Sequence, residues 1–219
     1  MSRCIIIAAG DLTVGGIDLM EDDYVIAVDG GLEYAALLGI EPDVIIGDFD
    51  SVSEQYADAV KQIREAAPEK VITLPVSKDD TDTLAAIKHG LFLGYEKFLL
   101  YAAGGGRMEH TFANIQCLLY LKEHGATGYL MDGASMTLVL RNEKVAYREN
   151  LEGYISILSL TRESKGVTIK GLKYELENAT ITNAYPLGIS NEFIGEMASV
   201  EVTDGDLLVV VNFVTGDEE

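Results

Sequence analysis

The chain has 219 residues, 48% hydrophobic and 24% charged, and its 16 Lys+Arg against 36 Asp+Glu give a formal net charge of −20. That balance excludes a disordered chain, a collagen-like repeat and a small disulfide scaffold, and the length allows one large domain or two small ones. The charge repels nucleic-acid backbones and suits a divalent metal or a cationic small molecule, while no apolar run reaches the roughly 18 residues of a membrane span.

The first part alternates short buried strands with helical patterns. Strands are predicted at Cys4–Ala9, Tyr24–Val28, Val44–Ile46, Val71–Leu74, Phe98–Tyr101 and Gly128–Met131. Helices are predicted at Leu32–Leu38, Ser53–Ala67, Thr81–Leu93 and Met108–His124. In the last of these, Phe112, Ile115, Leu118, Leu119 and Leu121 form an apolar face near period 3.6. This rhythm predicts a doubly wound, mostly parallel α/β sheet with helices on both faces. Ligands of such sheets gather beyond the carboxyl ends of the strands.

The pattern changes after Asp132-Gly133. Short β-branched and apolar runs follow at Thr137–Leu140, Val145–Tyr147, Tyr154–Leu160, Val167–Lys170, Ala198–Val202 and Leu207–Phe213, punctuated by glycines. They predict a C-terminal all-β sandwich, with Asp204-Gly205 as a hairpin turn between the last two strands. The expected domains are 1–134 and 135–219, both acidic: 22 acidic residues against nine basic in the first, and 14 against seven in the second. Cys4 and Cys117 lie inside apolar patterns and read as core thiols of a protein in a reducing cytoplasm.

Four successive strand ends carry residues suited to chemistry. The first is Asp29-Gly30-Gly31. The second is Gly47-Asp48-Phe49-Asp50-Ser51, where extended chain would point Asp48 and Asp50 the same way and turn Phe49 into the core. Two converging carboxylates repel unless a cation compensates, and Mg²⁺ is the natural hard cation for oxygen donors. The bland reading of this stretch is a solvated turn in which Ser51 or Ser53 caps the next helix. The third is Lys78-Asp79-Asp80-Thr81-Asp82, in which Asp80 or Thr81 can be a simple helix cap, or Lys78 and the carboxylates can hold a phosphate and its metal. The fourth is Gly104-Gly105-Gly106-Arg107 before a helix, where glycine backbone admits close approach and Arg107 offers a planar fork for phosphate or carboxylate.

In a doubly wound sheet all four face one rim, and together they describe a nucleoside-triphosphate site. The chain has no G-x-x-x-x-G-K-[ST], no G-x-G-x-x-G and no G-x-S-x-G, which removes P-loop, dinucleotide-binding and nucleophile-elbow readings. His89, His110 and His124 have no Cys or His partner at zinc spacing.

These stretches, with Met108-Glu109-His110, Ala113-Asn114, Gly171-Leu172-Lys173-Tyr174 and Gly188-Ile189-Ser190-Asn191-Glu192, resemble the thiamine pyrophosphokinase family in order across nearly the whole chain. The resemblance implies a catalytic α/β domain that binds ATP and Mg²⁺, a thiamine-binding β-sandwich, and a homodimer whose active site is shared between subunits. It implies transfer of the pyrophosphoryl group of ATP to the thiamine hydroxyl, giving AMP and thiamine diphosphate. By the family pattern Asp48, Asp50 and Asp82 hold Mg²⁺ and the triphosphate. Asp29, Gly30 and Gly31 shape the nucleotide site. Lys78, Thr81 and Arg107 lie around the phosphates or the thiamine tail, Asp79 is grouped with the nucleotide-binding residues, and Ser190 and Asn191 face the thiamine pyrimidine. Glu109 stands where the family commonly has Asp, and is grouped with Arg107 on the substrate side. There is no Trp to stack on thiamine, and Phe193 reads either as a stand-in or as a core residue. Two other readings stay open: a pyrophosphokinase of this architecture for another hydroxymethyl substrate such as a dihydropterin, and a non-catalytic thiamine or nucleotide sensor.

Overall fold

The computed structural model describes residues 2–49, 54–75, 77 and 79–214. They fall into two compact units, Met1–Gly133 and Ala134–Glu219. The first contains β1 (Cys4–Ile7), β2 (Tyr24–Val28), α1 (Gly31–Leu37), β3 (Val44–Gly47), α2 (Glu54–Ala66), β4 (Val71–Thr73), α3 (Asp82–Phe92), β5 (Lys97–Tyr101), α4 (Met108–Glu123) and β6 (Thr127–Asp132). A short 3₁₀ turn, Pro68–Lys70, precedes β4.

The six strands are parallel, in the order β6-β5-β1-β2-β3-β4. β1 and β3 are buried along their whole length, as expected for strands covered on both faces. Alternation then sorts the side chains. Ile5, Ile7, Val25, Leu99 and Tyr101 pack with Ala35 of α1, while Ala27 and Ile45 pack with Leu32 of α1 and Val60 of α2. The opposite face meets the other two helices. A Cβ on Gly90 of α3 would lie 2.6 Å from the Phe98 ring and 2.9 Å from Cys4 Sγ, and one on Gly128 of β6 would lie 2.4 Å from Leu121 of α4. Helices therefore cover both faces, α1 and α2 on one and α3 and α4 on the other. Cys4 and Cys117 are free and buried, and burial pushes the Cys117 thiol up to about 11.

The second unit has eight strands among its described residues: β7 (Ser135–Arg141), β8 (Lys144–Tyr147), β9 (Gly153–Ser159), β10 (Glu163–Lys170), β11 (Leu176–Thr182), β12 (Gly188–Glu192), β13 (Ala198–Glu201) and β14 (Asp206–Phe213). They make two antiparallel sheets, β12-β9-β14-β7 and β11-β10-β13-β8. Ile155, Ile157, Leu207, Val209 and Val211 of the first sheet and Val167, Ile169, Ala198 and Val200 of the second are buried, the alternation a sandwich requires.

Two sequence expectations need correction here. Asp204-Gly205 is not a hairpin turn, because β13 pairs with β8 and β10 whereas β14 pairs with β7 and β9. The chain changes sheets at this point, with Gly205 N–H donating to Asn142 Oδ1 at 3.1 Å. Strands β11 and β12 also escape the apolar pattern. Both are edge strands, β11 with only Ile181 of its seven residues buried and β12 broken by a register shift between Gly188 and Asn191. Edge strands carry polar residues that discourage pairing with other chains, which erases the signal.

Candidate active site

The parallel strands of the first unit end at one rim, and a cleft of about 680 Å³ opens there. The chain runs from β1 through β2 and β3 to β4 on one side of the sheet, then resumes with β5 and β6 on the other. The cleft thus lies at the reversal of strand order, where the strand ends splay. Asp29 and Gly30, Asp48, Thr81 and Asp82, and Arg107 all line it. Gly31, Asp79 and Glu109 do not line it. Asp50, Ser51, Ser53 and Lys78 lie outside the described residues.

Three of the strand outlets carry a non-glycine residue in the left-handed region: Asp29 after β2 (φ 47°), Phe49 after β3 (φ 61°) and Ala102 after β5 (φ 49°). Each such residue costs about 1–2 kcal/mol relative to ordinary backbone and persists only where its surroundings fix it. Phe49 is fixed by its ring, which packs against the cluster of Ala27, Leu32, Ile45 and Val60 with the Arg64 guanidinium 5.9 Å from its centroid. The ring does turn into the core. The backbone at Phe49 is not extended, however, so the argument that neighbours two apart project to one side does not hold across it.

Asp29 is the structural centre of the acidic side. Its Oδ1 accepts the Phe49 N–H at 3.2 Å, and its backbone N–H donates to Ile46 O at 3.0 Å. A Cβ on Gly47 would sit 2.0 Å from the same Oδ1, so only glycine fits beside it. Burial raises the Asp29 carboxyl to about 6, and the negative charge of Asp82, a hydrogen bond with Asp82 and the charge of Asp48 add to the rise against the Phe49 N–H. Asp29, Asp48 and Asp82 thus form a crowded acidic wall. Among the described residues no three such side chains already stand close enough to hold an ion alone. The donor set nevertheless fits Mg²⁺, which keeps several waters and binds through one or two carboxylates plus substrate phosphates. Asp48 and Asp82 would supply the carboxylates.

Thr81 is the N-cap of α3 and its hydroxyl accepts the Leu84 N–H at 3.2 Å, so one bland reading of this stretch is correct for Thr81 while it still lines the cleft. Asp80 is held by Lys88 Nζ at 2.6 and 2.8 Å. On the opposite wall the loop Ala102–Arg107 leads into α4. Asn114, buried in α4, donates from Nδ2 to Ala103 O at 2.7 Å, and Thr111 Oγ1 donates to Gly105 O at 3.3 Å. Arg107 starts the helix with its side chain largely exposed, its Nε 2.6 Å from Glu109 Oε1.

In the second unit Ser190 adopts φ 55° on β12 and its N–H donates to Ser156 Oγ at 3.1 Å. Asn191 is buried, and its amide is engaged by backbone. Oδ1 accepts from Tyr174 N (2.9 Å) and Glu192 N (3.0 Å), and Nδ2 donates to Tyr174 O (2.7 Å). Asn191 therefore anchors the Gly171–Tyr174 stretch to β12. Tyr174 itself is exposed, and Phe193 stacks edge-on against Tyr147.

Sequence reasoning missed Asp11, Glu33, Tyr34 and Thr111, which also line the cleft. Asp11 had a readable signal: Ala9-Gly10-Asp11 is a fifth strand outlet with an acid behind a glycine, like Gly47-Asp48.

Fold and cleft define a doubly wound α/β protein with an acidic, glycine-walled site at the carboxyl ends of its strands. Residues 19–130 match the family model described as thiamin pyrophosphokinase, catalytic domain, and residues 142–207 match that of the thiamin pyrophosphokinase vitamin B1 binding domain. The chain belongs to the thiamin pyrophosphokinase family. Thiamine pyrophosphokinase of Bacillus subtilis (strain 168) is 29% identical over 186 residues, spanning 84% of this chain and 85% of that protein. A crystal structure of thiamine pyrophosphokinase from Bacillus subtilis superposes with a TM-score of 0.84 at 27% identity, covering 97% of this chain and 99% of the other. That of thiamin pyrophosphokinase from Geobacillus thermodenitrificans gives 0.80 at 25% identity, with 99% of each chain covered. Yeast thiamin pyrophosphokinase, at 16% identity and a TM-score of 0.74 over 97% of this chain and 86% of that one, shares the fold.

Proposed function

We propose that this thiamine diphosphokinase takes ATP and thiamine as its substrates, works with Mg²⁺, and acts as a cytoplasmic homodimer. The thiamine hydroxyl oxygen attacks the β-phosphorus of ATP, the bond between that phosphorus and the α,β-bridging oxygen breaks, and AMP leaves. The hydroxyl proton passes to solvent. The observation that carries this reading is the convergence of Asp29, Asp48, Asp82, the glycine loop and Arg107 on one 680 Å³ cleft.

Pyrophosphoryl transfer demands charge neutralisation and in-line alignment more than covalent help from the protein. Bound Mg²⁺ would supply the neutralising charge. Asp48 and Asp82, with Asp50, would hold it, and Asp29 keeps the Asp48 turn in place from behind. Arg107 would face the phosphates, as would Lys78, with Thr81 beside them, and Gly30 and the glycine loop give the triphosphate room. Asp79 and Gly31 act from outside the cleft lining, Gly31 through the close approach of its backbone to Ile7 O. Ser190 offers its hydroxyl to the thiamine pyrimidine, and Asn191 shapes that pocket through Tyr174. Glu109 acts through its ion pair with Arg107. The buried, free thiols fit a reducing compartment. Among the described residues no helix is long and apolar enough to cross a membrane.

The test is an incubation with ATP, thiamine and Mg²⁺, resolving nucleotides and thiamine esters by chromatography. AMP and thiamine diphosphate should appear mole for mole. ADP with thiamine monophosphate would overturn the pyrophosphoryl step, and no thiamine-dependent product from folded protein would overturn the substrate.

A further inference from the structure

We infer that Asp11 is a positioning residue for the transfer: its carboxylate ties the outlet of β1 to the glycine loop after β5 and so sets where Arg107 stands. This rests on the functional reading above. The two outlets belong to adjacent parallel strands on either side of the point where strand order reverses. Past the regular sheet they continue to hold each other through the backbone. Ala8 N–H donates to Tyr101 O at 2.9 Å, Gly10 N–H to Ala102 O at 2.7 Å and Asp11 N–H to Gly104 O at 2.9 Å.

The carboxylate extends this seam by one more link, with Oδ2 accepting the Gly106 N–H at 3.2 Å. The fit is close. A Cβ on Gly105 would fall 2.1 Å from Asp11 Oδ2 and 2.4 Å from Cγ, and Gly105 itself sits at φ 75°. The loop is thus pinned from the β1 side by Asp11 and from the α4 side by Asn114 and Thr111. Arg107 follows Gly106 directly, so its backbone direction is inherited from that pinned peptide. Without the carboxylate, the Gly106 N–H loses this acceptor and Gly105 is held only through its carbonyl by Thr111, which leaves two permissive glycines less constrained. A reacting group displaced by about 1 Å can cost on the order of a hundredfold in rate.

The role asks for an acceptor oxygen, not for a charge, and that separates positioning from metal binding or proton transfer. Asp11→Asn keeps the acceptor and removes the charge, whereas Asp11→Ala removes both. Steady-state kinetics in ATP, thiamine and Mg²⁺ should show Asp11→Ala losing about tenfold or more in kcat/KM for ATP. Asp11→Asn should stay within about threefold of the parent, with the Mg²⁺ dependence unchanged in both variants. Amide hydrogen exchange over residues 103–112 should speed up in Asp11→Ala and not in Asp11→Asn. Equal losses in the two variants would assign the role to the charge and overturn the inference. So would an Asp11→Ala enzyme with parental kinetics and exchange. If the parent itself makes no thiamine diphosphate, the functional reading fails, and the exchange comparison still decides whether Asp11 holds the loop.

Discussion

Asp29 reaches across from the end of β2 and its Oδ1 accepts the backbone N–H of Phe49, at the end of β3, at 3.2 Å. Both residues sit in the left-handed region. One hydrogen bond thus locks together two strained outlets, and Asp48 lies on the turn between Gly47 and Phe49. A net contribution of about 1.5–3 kcal/mol is usual for a bond to a charged acceptor, enough to offset the backbone cost of a left-handed residue.

Gly47→Ala tests that lock. The new Cβ would stand 2.0 Å from Asp29 Oδ1, and the carboxylate has to leave. Turnover should fall by roughly a hundredfold while the circular dichroism spectrum stays that of the folded protein. Near-parental turnover would show that the Asp29–Phe49 bond does not govern the site.

Removal of the metal should abolish activity reversibly. Asp82→Asn should reduce turnover by roughly a hundredfold or more and raise the Mg²⁺ concentration needed for half-maximal rate. It also removes the neighbouring charge that helps hold the Asp29 carboxyl up at about 6. The check is a Mg²⁺ titration of initial rate in parent and variant. An unchanged half-saturation point would take Asp82 out of the metal site.

Acid stability should depend on Arg3 and Asp23. Burial pushes the Asp23 carboxyl upward, but its hydrogen bonds with Arg3 and the Met20 N–H outweigh that and hold it below the usual aspartate range. Arg3 Nε donates to Asp23 Oδ1 at 2.9 Å, and the Met20 N–H to Oδ2 at 2.8 Å. Between the folded and unfolded pKa values the unfolded chain binds more protons, so unfolding free energy rises with pH there. The contribution is complete above the ordinary aspartate value of about 3.9 and is lost as pH falls through the lower folded value. Denaturant unfolding of Asp23→Ala should therefore show a large deficit against the parent at pH 7 that shrinks steadily below about pH 4. A deficit independent of pH would contradict the ion pair's role.

Asn191→Ala should raise the KM for thiamine by about tenfold and leave that for ATP within about twofold, because it frees the Tyr174 segment of the second unit and touches nothing in the ATP-side cleft. Equal changes in both constants would remove Asn191 from the thiamine side.

Much of this was legible in the chain itself. Ile5-Ile6-Ile7 and Val44-Ile45-Ile46 have no polar alternation, and only strands covered on both faces read that way. Thr81 before a helical pattern announced a cap, and the structure gives it one. Carboxylates, glycines and Arg107 at successive strand ends pointed to the rim. Less visible were features that depend on partners distant in sequence. Asp11 and Gly105 are 94 positions apart, and nothing local tells that one is shaped around the other. The edge strands β11 and β12 hide because their stability comes from the neighbour they pair with, not from their own composition.

The sequence by itself determined the alternation of buried strands and amphipathic helices, the change to short strands after Gly133, and the residue types gathered at the strand outlets. Those are properties of local pattern, which side-chain period and backbone chemistry dictate wherever the chain goes. Only the tertiary structure decided that Phe49 turns left-handed and not extended, that Asp204-Gly205 joins two sheets, and that the Asn191 amide is engaged by the backbone of Tyr174 and Glu192. The physical reason is the same in each case: a local preference of about 1 kcal/mol is overruled by hydrogen bonds and packing that form only when remote segments meet.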